Sequence, residues 1–300
     1  MCAVIETIEL RGRDENRLVA DVAGPSAASP VVLLHGGGQT RHSWHTTLRA
    51  LGEREWRAYA LDLRGHGESD WAADGDYSLD AFAGDAKRVA RSVGRPPVLV
   101  GASLGGAASL VAAAEAGDPP VASALILVDI AHRIEPDGRD RITSFMSEHM
   151  ADGFASVDEV ADAIQRYNPH RPRPRDLAGL RKNLRQRPDG RWVWHWDPQF
   201  LRGPRGGADE TRTSVVDPGR LVSAAEAIVV PTLLVRGRQS DLLSQEGAKE
   251  LLELIPHAEF ADVAGAGHMV AGDRNDLFNT AIIEFLERAR SRGALPMPGT

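Results

Sequence analysis

The chain has a single cysteine, Cys2, and only three lysines, Lys87, Lys182 and Lys249, among its 35 basic residues. One cysteine excludes an intrachain disulfide and every zinc or redox motif built on a cysteine pair. Scarce lysine beside abundant arginine and alanine reads as a coding bias, and no function is drawn from it. Long apolar runs are also missing. The longest, from Val121 to Val128, falls far short of the ~18 residues that suggest a membrane-spanning helix. The N-terminal segment carries Glu6, Glu9, Asp14 and Glu15 in place of the unbroken apolar stretch of a secretory signal. The expectation is a cytoplasmic protein with no membrane partner. Excess positive charge is lacking as well: 35 basic against 42 acidic residues leave −7, which argues against a nucleic-acid partner. With 42% hydrophobic and 26% charged residues the composition is that of an ordinary globular chain, not a disordered one.

What is present is alternation. Runs apolar at nearly every position recur at Val31–Leu34, Ala58–Leu63, Pro97–Gly101, Val121–Val128 and Pro231–Val235. They read as strands buried on both faces. Segments with helical spacing lie between and after them, at Trp44–Leu51, Leu79–Val93, Leu104–Ala116, Ala248–Leu254 and Leu277–Ala289. The pattern predicts an α/β fold, a mostly parallel sheet with helices on both faces. In such a sheet ligands bind beyond the carboxyl ends of the strands. Between about Arg133 and Leu221 the strand signal stops. Two or three amphipathic helices are expected there (Arg139–Met150, Val157–Tyr167 and Asp176–Arg187), followed by a glycine turn and the alternation Trp192-Val193-Trp194-His195-Trp196. The predicted layout is a core of residues 1–132 and 222–300, with residues 133–221 inserted as a mainly helical cap.

Chemistry is expected after the strands. Gly101-Ala102-Ser103-Leu104-Gly105-Gly106 joins a strand to a helix, the context in which a nucleophilic serine is held on a sharp turn. His35-Gly36-Gly37-Gly38 follows Val31–Leu34 and can aim bare backbone amides at a developing oxyanion. Gly37 is expected to supply one donor and Leu104, at the start of the next helix, the other. Gly265-Ala266-Gly267-His268 follows a short strand near Glu259–Val263 and offers His268 as general base. An acid must orient that imidazole. Asp241, in the polar loop after Thr232–Val235, is preferred over Asp129, which ends the Val121–Val128 run. No metal or other cofactor is implied: His42 and His45 stand three apart but lack further ligands at a recognisable spacing.

Taken together these residues resemble the α/β-hydrolase superfamily, in its serine-nucleophile branch with a helical cap. The order Ser103…Asp241…His268 is similar to that family's triad, and Asp62-Leu63-Arg64-Gly65-His66-Gly67-Glu68-Ser69 resembles its loop after the fourth strand. The likeness covers roughly residues 3–132 and 222–290 and implies an eight-stranded sheet. It implies a serine hydrolase of a small ester, thioester or lactone. A carbon–carbon hydrolase, a cofactor-free haloperoxidase or perhydrolase, and a catalytically silent ligand-binding protein of the same fold are the alternatives. Residues 166–191 hold eight arginines and Lys182 against Asp176 and Asp189, a local charge of 9 − 2 = +7. That segment either draws an anionic small-molecule substrate or forms a solvated helix face. Trp192, Trp194 and Trp196 either line the acyl pocket or clamp the cap.

Overall fold

A computed structural model describes residues 4–130, 132, 133, 135–169, 173, 177–202, 217–267, 275–293 and 295. In chain order the first half holds β1 (Ile5–Arg11), β2 (Arg17–Ala23), β3 (Ser29–Leu34), α1 (His45–Gly52), β4 (Trp56–Leu61), α2 (Leu79–Ser92), β5 (Val98–Ala102), α3 (Leu104–Ala114) and β6 (Ala124–Val128). The inserted segment holds α4 (Pro136–Ser147), α5 (Val157–Tyr167), α6 (Ala178–Arg181), β7 (Leu184–Gln186), β8 (Trp192–Trp194) and α7 (Gln199–Arg202). The sheet then resumes with α8 (Pro218–Glu226), β9 (Thr232–Gly237), α9 (Gln245–Leu254), β10 (Glu259–Val263) and α10 (Asn275–Ser291).

Eight strands form one sheet in the order β1-β2-β4-β3-β5-β6-β9-β10. The two pairings of β2 are antiparallel; from β4 to β10 every pairing is parallel. The all-apolar runs are buried on both faces, as their composition requires. Val32 and Leu34 point into one core with α2, α3 and α8, while Val31 and Leu33 point into another with α1 and α10. Small residues let α3 sink into the first core: Leu104 to Ala112 is buried throughout. Side-chain caps start several helices, with Ser78, Ser156, Asp217 and Ser244 accepting from the first-turn amides of α2, α5, α8 and α9. The chain order reverses between β3 and β5, so the sheet's topological switch point lies between their carboxyl ends.

The inserted segment has its own small core of Phe154, Val157, Val160, Ala163 and Leu184. It departs from expectation in one place. Instead of a helix over Asp176–Arg187, α6 is a single turn and the chain continues into a hairpin, β7 pairing antiparallel with β8. Helix α8 crosses the expected core boundary at 221/222 and packs on α3. Among the described residues no helix is long and apolar enough to cross a membrane.

Candidate active site

Ser103 stands between β5 and α3 with φ +46° and ψ −113°. A non-glycine residue in that region carries roughly 1–3 kcal/mol of strain and persists only where its surroundings enforce it. The neighbouring glycines are the enforcement. A Cβ at Gly101 would lie 2.2 Å from the Gly105 carbonyl oxygen, and a Cβ at Gly105 would lie 2.3 Å from that of Leu34. Helix and strands therefore approach as closely as bare backbone allows, and the serine is pushed out at the sheet edge.

The loop after β3 comes to the same point. A Cβ at Gly36 would lie 3.4 Å from the Ser103 Cβ. Gly105 N–H donates to the His35 carbonyl at 3.2 Å, tying that loop to α3. The amide of Gly36 donates to Gln39 Oε1 (3.1 Å) and that of Gly38 to His66 Nε2 (3.1 Å). Among the described residues the amides of Gly37 and Leu104 have no acceptor. These are the two donors expected from the sequence. Both flank Ser103, and the Leu104 amide carries the positive end of α3.

Buried, neutral histidines hold this loop and the one after β4. His35 is buried; its Nε2 accepts from Leu63 N–H at 3.0 Å, and its Nδ1 bonds the Gly36 carbonyl at 2.8 Å. His66 repeats the pattern, accepting from Gly38 and bonding the Arg64 carbonyl through Nδ1 at 2.9 Å. Both rings are thus neutral with the proton on Nδ1. Burial pushes His35 down to about 4 and, with help from His35, His66 down to about 3. His195, from the cap, accepts from Gly67 N–H at 2.6 Å, its ring 6.0 Å from that of His66. Burial drives it well below its ordinary value. Neither His66 nor His195 is flagged by the sequence as a loop anchor, because their partners are backbone groups far along the chain. The loop carrying His66 is braced by buried ion pairs, Arg41 with Asp62 and Arg64 with Asp85.

Of the remaining expected residues, His268 lies outside the described residues. The chain leading to it is described: Gln239 N–H donates to the Ala266 carbonyl at 2.9 Å, and Arg238 N–H to that of Val263 at 3.0 Å. Asp241 has its side chain 35% exposed and ion-paired to Arg141 of α4 at 2.9 Å. Asp129 is 2% exposed, sits at φ +50°, and accepts from Gly237 N–H at 3.2 Å and Ser240 Oγ–H at 2.5 Å. The structure therefore brings Ser103, Gly37, Leu104 and Asp129 to neighbouring strand ends and turns the Asp241 side chain toward α4.

The inserted segment covers the glycine loop with buried side chains, of which the sequence singled out Trp196 but not Met146 or Phe200. A Cβ at Gly38 would meet Met146 Cε at 2.9 Å and Trp196 Nε1 at 3.7 Å; one at Gly37 would meet Phe200 Cζ at 3.2 Å. The tryptophan trio divides: Trp196 lies over Gly38, Trp192 packs against the inserted segment's own core, and Trp194 packs against both that core and the main one. Tyr77 Oη donates to Asp197 Oδ2 at 2.7 Å and fastens cap to core. Several arginines of the basic segment tie the inserted segment together or to the core. Arg173 pairs with Asp158 and Asp162, Arg185 donates to the Gly67 carbonyl, and Arg187 and Arg191 donate to the carbonyls of residues 151–153. Among the described residues no group of three His, Cys, Asp or Glu side chains could hold a metal ion.

Comparison with known proteins identifies the family and agrees with the fold. The family described as alpha/beta hydrolase fold matches residues 29–274. The chain is 30% identical over 258 residues to the esterase Rv0045c of Mycobacterium tuberculosis, covering 83% of this chain and 79% of that protein. It is 30% identical over 253 residues to a 3-hydroxybutyrate-oligomer hydrolase of Cupriavidus necator, covering 80% of this chain and 83% of that protein. The solved structure of the M. tuberculosis esterase superposes with a TM-score of 0.74 at 28% identity, over 96% of this chain and 93% of that one.

Proposed function

Because the chain belongs to the alpha/beta hydrolase fold family and is a hydrolase, we propose that it cleaves small carboxylic esters, thioesters or lactones through an acyl-enzyme on Ser103. The observation that carries the proposal is the strained Ser103 set between two amides, of Gly37 and Leu104, that have no acceptor among the described residues. Ser103 Oγ attacks the acyl carbonyl while the His268 imidazole takes its proton. The carbonyl oxygen, now an anion, receives hydrogen bonds from Gly37 and Leu104. As the tetrahedral species collapses, the bond to the leaving group breaks and His268 protonates that group. Water, deprotonated by His268, then attacks the acyl-serine and releases the acid and free Ser103. A strand-end carboxylate orients the imidazole and stabilises its charged form; Asp129 and Asp241 are the two the chain offers.

Removal of the nucleophile tests this reading. Ser103→Ala should lose about 10³-fold or more of kcat toward p-nitrophenyl acetate and all labelling by a fluorophosphonate, with its melting temperature retained. Full esterase activity in that variant would sink the mechanism. An anionic substrate is the second element of the proposal, supported by the +7 of residues 166–191. It predicts that kcat/KM for an anionic ester falls with salt more steeply than for a neutral one. An equal salt response would end it.

A further inference from the structure

We infer that Asp129, and not Asp241, is the carboxylate that positions the His268 imidazole; this rests on the serine-hydrolase reading of the site. Four observations converge. Asp129 directly follows β6, the strand paired with β5, and Ser103 N–H donates to the Val128 carbonyl at 3.0 Å. Nucleophile and carboxylate thus leave adjacent strands at the same level. Both residues have left-handed backbone, φ +46° at Ser103 and φ +50° at Asp129. Two non-glycine residues held in a costly conformation at neighbouring strand ends mark a place where side-chain direction is enforced.

The third observation is the route of the chain toward His268. A Cβ at Gly237 would lie 2.2 Å from the Gly267 carbonyl oxygen, so the segment reaching residue 267 rests on the backbone of Gly237. That same Gly237 donates its N–H to Asp129 Oδ1. Residue 267, one peptide bond before His268, therefore lies against the group that holds the Asp129 carboxylate. The fourth is Ser240. Its hydroxyl donates to Asp129 Oδ2 and accepts from the amides of Leu242 (3.1 Å) and Leu243 (3.2 Å). Gly237 and Ser240 thus each donate to one oxygen of the carboxylate and fix its plane. Asp241 is placed otherwise: a Cβ at Gly138 would lie 2.2 Å from its carbonyl oxygen, and its carboxylate meets Arg141. Its role is to fasten α4 to the loop after β9.

The test compares Asp129→Asn with Asp241→Asn, with kcat/KM for p-nitrophenyl acetate followed from about pH 5 to about pH 9. Asp129→Asn should lower kcat by about 10³–10⁴-fold. It should also move the acid limb of the profile to lower pH, because an imidazole without a neighbouring carboxylate is protonated less readily. A purely structural loss would not move that limb. Asp241→Asn should stay within about threefold of wild type, as expected for an exposed pair, with its limb unmoved. The inference is overturned if Asp129→Asn keeps more than about a tenth of kcat, or if Asp241→Asn shows the large loss and the shifted limb. Should Asp129→Asn not fold, the surface variant decides alone: near-full activity supports the inference and a loss of about 10³-fold overturns it. Failure of the serine-hydrolase reading is read separately, as activity surviving in Ser103→Ala.

Discussion

Replacing Gly105 by alanine separates stability from site geometry. Gly105 is the second residue of α3, and in an ordinary helix the change to alanine would stabilise by up to about 1 kcal/mol. Here the new methyl would stand 2.3 Å from the Leu34 carbonyl oxygen, 2.6 Å from its carbon and 2.7 Å from the His35 carbonyl oxygen. All three are backbone atoms, so no side chain can swing away. Overpacking of a tight core costs about 1–3 kcal/mol, and a clash with fixed backbone belongs at the upper end. Setting ~3 against ~1 leaves about 2 kcal/mol of destabilisation. For 300 residues the unfolding entropy is near 0.6 kcal/mol per kelvin, so the melting temperature should fall by about 3 °C. Activity should fall much further. Relief of the clash pushes the His35–Gly38 loop away from α3 and breaks the Gly105-to-His35 bond. The Gly37 amide then moves off the proposed oxyanion position, and loss of one such donor costs about 10²–10³ in kcat. Thermal unfolding followed by circular dichroism and ester turnover on the same preparation measure both. An unchanged kcat with a melting temperature at or above wild type would refute the close-approach argument.

Other perturbations probe the anchors and the cap. Burial holds His35 to about 4 and His66 to about 3, against an ordinary value of 6.5. Below pH 6.5 the unfolded chain takes up protons that the native rings refuse. Stability is therefore full above that pH and is lost as pH falls toward about 4, by about 3 kcal/mol from His35 alone. Urea midpoints measured across this window should drop, and a flat midpoint would contradict neutral anchors. Tyr77→Phe leaves the buried Asp197 carboxylate short of a donor and should cost about 1–3 kcal/mol in urea unfolding. Phe200→Ala and Met146→Ala open space over Gly37 and Gly38. Each should raise the ratio of kcat/KM for octanoate over acetate esters by about tenfold, and equal changes for both esters would show that these side chains do not bound the acyl group.

The strand ends were legible because each buried strand is an unbroken apolar run and each is followed by a motif with its own chemistry. Ser103, Gly37 and Leu104 meet because β3 and β5 pair in parallel, a neighbour relation that skips β4 and that the alternation alone does not give. The hairpin of the cap was missed where two local signals conflict. Leu184–Arg187 has helical spacing, yet Pro188-Asp189-Gly190 is a turn sequence. The turn prevails: Gly190 adopts φ +83° and Arg187 N–H donates to the Arg191 carbonyl at 2.8 Å. The charge of residues 166–191 is legible in the sequence, but its local bonding is not. Charge counting is blind to backbone carbonyls, and several of these arginines end on carbonyls of the cap and core.

The choice between the two aspartates was the least legible, and its reason is topological. Each follows a buried strand, and each precedes His268 in the order the chemistry requires. Local sequence even favours Asp241, whose loop is polar and carries a glycine. What distinguishes them is how closely two segments thirty residues apart in the chain approach: 2.2 Å between a Cβ at Gly237 and the Gly267 oxygen. Only a residue without a side chain permits that approach, and its amide is thereby directed to Asp129. Gly237 is inconspicuous in the sequence, one glycine among 30, yet any larger residue there would push aside the segment that leads to His268. A catalytic serine announces itself through flanking glycines on its own strand–helix turn. The carboxylate we infer to serve it is bonded by a glycine on another strand, which reading along the chain cannot connect to it.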